Sequence, residues 1–183
     1  MNSIHVPCND TIRNMSQVDL QNALRQCVDK ATSVFNEKEE YLIRNDLSER
    51  CICARFAIYL DREIQNSIFS DYVVDVEYNR GCHGKDHAIK QLDGKNIVVD
   101  LIVHKRGQDN LRGFDNLICI EMKKASQPSK LLHDKSRLCN LTDRSHGFHY
   151  KAGYMIVAFS NRRQGRYGLE IDTAFYDGHA YPG

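Results

Sequence analysis

Residues 96–124 read NIVVDLIVHKRGQDNLRGFDNLICIEMKK, and the rest of the chain is interpreted outward from them. Two runs rich in Val and Ile flank GQDNLRGFD, whose Gly, Asp and Asn residues favour turning, so the segment predicts two antiparallel strands. The connection is too long for turn type to set the register. A symmetric hairpin places Asp100 opposite Glu121, Ile102 opposite Cys119 and Val98 opposite Lys123. Side chains alternate along a strand. One face then carries Asp100, Glu121 and Lys123 among Val98, Ile102 and Cys119. The other, with Ile97, Val99, Leu101, Val103, Ile118, Ile120 and Met122, is wholly apolar. Facing carboxylates repel unless something positive lies between them. A divalent cation would serve, and Lys123 points the same way. A two-residue slip keeps all three on one face.

Asp100, twenty intervening residues, then Glu121-Met122-Lys123 resembles the core of the PD-(D/E)XK nucleases, the restriction-endonuclease-like superfamily. The wider text VVDLIVHKRG…NLICIEMKK is similar to a bacterial group of uncharacterised small members, and the similarity covers residues 47–160. The Pro of the family's name is Val99 here. The resemblance implies an α/β fold with an αβββαβ core, a mixed central sheet flanked by helices. It also implies Mg²⁺ or Mn²⁺ as cofactor and hydrolysis of phosphodiester bonds in nucleic acid, DNA ahead of RNA.

With 183 residues the chain fits one domain, with residues 1–15 expected as a flexible arm and 16–183 as the folded unit. Hydrophobic residues make up 42% and charged residues 27%, the balance of a soluble globular protein. No apolar run approaches the ~20 residues of a membrane helix, and the N-terminus lacks the basic and apolar blocks of a signal peptide. Seven cysteines fall mostly in apolar segments, with Cys51, Cys53 and Cys119 read as core residues, which points to a reducing cytoplasm. Net charge is +1 and the pI near 7.6. That balance counts against tight, sequence-independent coating of DNA by a monomer, while a local basic rim would suffice for contact.

Along the chain, SQVDLQNALRQCVDKATSVFNEKEEYLI has helical apolar spacing behind Ser16, a good N-cap. A second helix starts at Asn45 or Ser48 and runs to Gln65, with Glu49, Cys53, Phe56, Leu60 and Ile64 in one stripe. Glu49 is either a solvated first-turn acid favoured by the helix dipole or a carboxylate that reaches Asp100 and Glu121. The superfamily's helix before the sheet often supplies such an acid. DYVVDVEYNRG is a strand whose Asp75 and Glu77 alternate outward; the resemblance makes Glu77 a residue bordering the site. Cys82, His83 and His87 have no second Cys/His pair at a zinc-like spacing. After Lys124 a helix with Pro128 in its first turn leads to the buried strand YMIVAFS, then the basic turn NRRQGRYG, and LEIDTAFYDGHAYPG as a last strand and tail.

The expected chemistry is hydrolysis aided by Mg²⁺ or Mn²⁺. Asp100 and Glu121 are the expected metal ligands, with the Met122 carbonyl as a third and Glu49 completing or bridging a second ion. Lys123 orients water or neutralises the phosphorane. Lys124, Lys130, Arg137, Arg162, Arg163 and Arg166 are candidates for flanking phosphates. His104 lies on the Asp100 face at the far end of the hairpin, more often a rim position than a catalytic one, and nothing fixes His146 or His149. The competing expectation is a nuclease-like scaffold without turnover that binds nucleic acid or protein. A homodimer is compatible with cutting two strands.

Overall fold

The computed structural model describes residues 8–80, 89–92, 94–106, 113–126, 128–146 and 148–183. The Ser16 hydroxyl accepts a hydrogen bond from the Asp19 N–H and caps α2 (Gln17–Lys38), satisfying one of the free donors of the first turn. A short helix, α1 (Cys8–Arg13), precedes it and buries Ile12. The expected arm is therefore anchored from Cys8 onward by an apolar contact. After α3 (Glu40–Arg44), Ser48 rather than Asn45 caps α4 (Glu49–Gln65). Cys53, Phe56, Leu60 and Ile64 are buried beneath α4, as their spacing requires. Cys51 is exposed, a correction to its reading as a core residue: two positions along a helix turn a side chain to the opposite face.

The strands are β1 (Val73–Val76), β2 (Gln91–Leu92), β3 (Lys95–Asn96), β4 (Leu101–His104), β5 (Asn116–Lys124), β6 (Ala152–Asn161), β7 (Arg166–Tyr176) and β8 (His179–Pro182). Helix α5 (Pro128–Thr142) crosses over from β5 to β6. Six strands form one sheet in the order β1-β4-β5-β6-β7-β8, in which β5 and β6 are parallel and the other neighbours antiparallel. The chain is thus an α/β protein with a mixed sheet, and α4, β1, β4, β5, α5 and β6 follow in the order helix, strand, hairpin, helix, strand. Phe35, Phe56, Leu60, Leu101, Ile120 and Tyr154 fill the layer under α2 and α4. Ile102, Cys119, Leu138, Leu141 and Phe175 fill the layer under α5.

Three details differ from the sequence reading. The first run of the hairpin enters the sheet only at Leu101, because Asn96 pairs instead with Gln91 in a separate ribbon of β2 and β3. With that alternation broken, Ile97 and Val99 pack with Ile102 and Cys119 on the α5 side, not with Leu101 and Val103. From Leu101 the pairs Leu101–Ile120, Ile102–Cys119 and Val103–Ile118 keep the symmetric register, and a bulge then shifts His104 to Asn116. Finally, the C-terminal segment holds two strands. Asp177 and Gly178 (φ 50° and 77°) both take left-handed backbone, as a two-residue type I′ hairpin turn demands. Among the described residues no helix is long and apolar enough to cross a membrane.

Lys90 was not singled out by its sequence surroundings, yet it is 4% exposed. Its ammonium donates to the Tyr150 hydroxyl at 2.6 Å and lies over the rings of Tyr78, Phe148 and Tyr150. Burial lowers its pKa from the ordinary 10.5 to about 8. Below that pH both folded and unfolded chains carry the charge, and the fold bears the full desolvation cost of about 3 kcal/mol. Between about 8 and 10.5 the folded protein sheds the proton first, so the cost fades as pH rises. Lys90→Met is expected to raise stability by about 1–3 kcal/mol at pH 7 in urea unfolding, with the gain shrinking toward pH 10. A loss of stability at pH 7 would show that the aromatic contacts outweigh desolvation.

Candidate functional site

The candidate site lies at the C-terminal end of β5, where the first turn of α4 and the middle of α5 converge on it. Asp100 sits one residue ahead of β4, held there through its backbone: its carbonyl accepts from the Glu77 N–H at 3.0 Å and from the Cys53 thiol at 3.4 Å. Its carboxylate accepts from the Met122 N–H at 2.8 Å. Asp100 therefore meets β5 through a side-chain bond where a ladder bond would otherwise continue the hairpin. Glu121 lies on β5, two residues beyond Cys119 and on the same face, and is fully buried. Neither of its carboxylate oxygens receives a well-formed hydrogen bond among the described residues, although an Arg137 nitrogen approaches to 2.7 Å. Burial, then the Asp100 charge, pushes the Glu121 pKa well above the carboxylate range, and Arg137 opposes the shift.

Lys123 is the centre of the cluster. Its ammonium donates to the Met122 carbonyl at 2.9 Å and stands 3.3 Å from Asp134, 3.6 Å from Asp100 and 3.7 Å from Glu49. Burial works against its charge, but Asp100, Asp134, Glu121 and Glu49 outweigh it and raise its pKa. Glu49 heads the buried stripe of α4 and reaches over the end of β5, where the Lys124 N–H donates to it at 3.3 Å. Its carboxylate, 31% exposed, thus stands against Lys123 and the end of β5.

Asp134 was missed. It is 6% exposed and bridges Lys123 and Arg137, with an oxygen 2.7 Å from the latter. The signal was present: Leu131, Asp134, Leu138 and Leu141 step along one helical stripe, the same reasoning that flagged Glu49. Arg137, expected on the phosphate-binding rim, instead lies inside the cluster between Glu121 and Asp134.

Glu77 borders the site. Its backbone is left-handed (φ 50°), its carboxylate pairs with Arg50 at 2.8 Å, and it lines a cavity of about 140 Å³ with Glu49, Cys53 and Asp100. His104 is elsewhere: it is buried, hydrogen-bonded to Asp75 at 2.9 Å and packed on Tyr78. Lys124 pairs with Asp46 at 2.8 Å and shares with Arg162 a cavity of about 420 Å³ beside the cluster. Arg163 and Arg166 are exposed near the turn between β6 and β7, and Arg166 lines a neighbouring groove. His146 is 3.8 Å from Asp143, away from the cluster. The side chain of Lys130, and Cys82, His83 and His87, lie outside the described residues.

Asp100, Glu121 and the Met122 carbonyl are hard oxygen donors of the kind Mg²⁺ and Mn²⁺ take. The observation that fits such an ion is the fully buried Glu121 carboxylate, which lies beside the like charge of Asp100 and has the Arg137 guanidinium as its counter-charge, without a well-formed hydrogen bond. Among the described residues no three His, Cys, Asp or Glu side chains stand at metal-site spacing. The carboxylates are gathered around the Lys123 ammonium instead. No protein-family model, curated protein or solved structure matches the chain.

Proposed function

We propose that the chain is a metal-dependent nuclease of the PD-(D/E)XK type, hydrolysing phosphodiester bonds in DNA in preference to RNA. One observation carries the reading: Asp100 and, from farther along the chain, Glu121 and Lys123 of β5 meet at the end of that strand with Glu49 beside them. Four carboxylates, Glu49, Asp100, Glu121 and Asp134, share two cations, Lys123 and Arg137, and the excess negative charge is what a bound metal ion would relieve. Asp100, Glu121 and the Met122 carbonyl would hold Mg²⁺ or Mn²⁺, with Glu49 able to complete or bridge the site. Bound there, the ion would supply an activated water and neutralise charge on the phosphate.

The chain's own groups do the rest. Lys123, kept protonated by its neighbours, offers a compact charge to the phosphate oxygens. Arg137 holds Glu121 in place from α5, and Asp134 holds Arg137. Lys124, Arg162 and Arg163 line or flank the groove next to the site, where they contact neighbouring phosphates without reading bases.

A second reading draws on one feature. Arg137 beside Glu121 and Lys123 among the other carboxylates already provide positive charge, as a binding scaffold without turnover would need. Incubating the protein with plasmid and with single-stranded DNA in Mg²⁺ or Mn²⁺ separates the two. The nuclease reading expects cleavage abolished by EDTA. Binding without cleavage under any divalent ion supports the scaffold.

A further inference from the structure

The opposite end of the sheet holds a second cluster of charged groups around a cavity of about 160 Å³. Lys151, immediately before β6, lines it together with His149, Arg144 and Asp177. Arg144 and Asp177 satisfy one another at 2.9 Å. Lys151 has no such partner: its ammonium lies 3.3 Å from the His149 Nδ1 and over the Phe114 ring, and among the described residues no carboxylate is within ion-pair distance. Burial, then Arg144, lowers its pKa to about 8, and burial with Lys151 lowers that of His149. A half-buried ammonium beside two other basic groups is an arrangement that an anion would relieve. His149 also has left-handed backbone (φ 43°), which a side chain with a Cβ adopts at some energetic cost and which is concentrated at ligand sites. The rest of the wall is two-fold in character. Leu20, Met15 and Phe114 give it an apolar floor, while Gln17 and Gln21, one helical turn apart on α2, present amides.

We propose that this cavity binds a small organic anion, its carboxylate or phosphate held by Lys151 and His149 and its apolar body lying against Leu20 and Phe114. Arg144, already paired, borders the head group without being consumed by it. The cavity is separate from the proposed nuclease centre. Strands β5 and β6 run parallel, with Ile118 beside Ala152 and Lys123 beside Val157, so the two ends lie roughly 17 Å apart along the strands. The inference therefore stands whether or not the chain cleaves nucleic acid. A small cavity with an apolar floor fits a small molecule better than a nucleic-acid backbone, which asks for a long basic groove.

Benzoate titrated into the full chain is the probe, followed through the Lys151 Cε and His149 Cε1 resonances. Saturable shifts at both, with the Lys123 signals unmoved, are expected, and neutral benzamide is expected to shift neither. Inorganic phosphate is expected to bind more weakly than benzoate, because it leaves the apolar floor uncovered. Lys151→Met, which replaces an ammonium that burial already disfavours, is expected to weaken benzoate at least about tenfold, the loss of one charge-assisted hydrogen bond. The wild-type resonances give a reading that does not depend on how that variant folds. Absence of saturable shifts, equal response to benzamide, tighter binding of phosphate, or undiminished affinity in a folded Lys151→Met protein would each overturn the assignment.

Discussion

Asp100→Asn is expected to cleave DNA about a thousandfold more slowly than the wild type in Mg²⁺, because a metal ion contributes several kcal/mol of charge stabilisation and each 1.36 kcal/mol is tenfold in rate. The substitution isolates charge from shape. Asparagine keeps an amide oxygen that can accept the Met122 N–H, now donated to Asp100 at 2.8 Å, so the junction between β4 and β5 survives. What it removes is the negative charge that an ion needs. Asp61→Asn, a change at an exposed position of α4, is the control and is expected to leave the rate unchanged. Near wild-type cleavage by the Asp100 variant would take this carboxylate out of the mechanism.

The second large effect concerns stability. Lys123→Met is expected to destabilise the protein by about 3–5 kcal/mol in urea unfolding without divalent ions, the usual result of stranding buried charge. Lys123 is only 12% exposed, and its ammonium is shared by Asp134, Asp100 and Glu49. Met occupies a similar volume, so the loss is electrostatic. Adding Mn²⁺ is expected to return part of the stability, because an ion bound to the folded state favours it by mass action. The neighbouring Lys124→Met gives the contrast. Its partner Asp46 is well exposed, and water screens such a pair, so a much smaller loss is expected. Equal effects at the two lysines would mean that the carboxylates around Lys123 impose no special demand.

The hairpin face was legible in the sequence because period-two alternation survives wherever the strand is regular. Ile102 does oppose Cys119, and Glu121 does share the face of Cys119. The same rule failed one residue earlier. Ile97 and Val99 look like strand residues, but the β2–β3 ribbon takes up Asn96, and the chain bends at Asp100 before entering β4. That pairing depends on contacts that local pattern does not encode. Glu49 and Asp134 differ in an instructive way. Both are acids on apolar helical stripes, so both were detectable by the cost of burying a carboxylate. Only Glu49 was read so, because Asp134 sits among polar residues in LLHDKSRL that make the stripe look solvated. Lys90 and Lys151 lay beyond reach: nothing nearby in the sequence announces the aromatic rings that surround the one or the cavity that the other lines.

Calorimetric titration of Mn²⁺ into the wild type and into Glu121→Gln tests the central claim most directly, since Glu121 is the fully buried carboxylate of the cluster and lies against Asp100. The account predicts saturable binding by the wild type and affinity lower by about 10–100-fold or more in the variant. No binding by the folded wild type, or equal affinity in the two proteins, would contradict it.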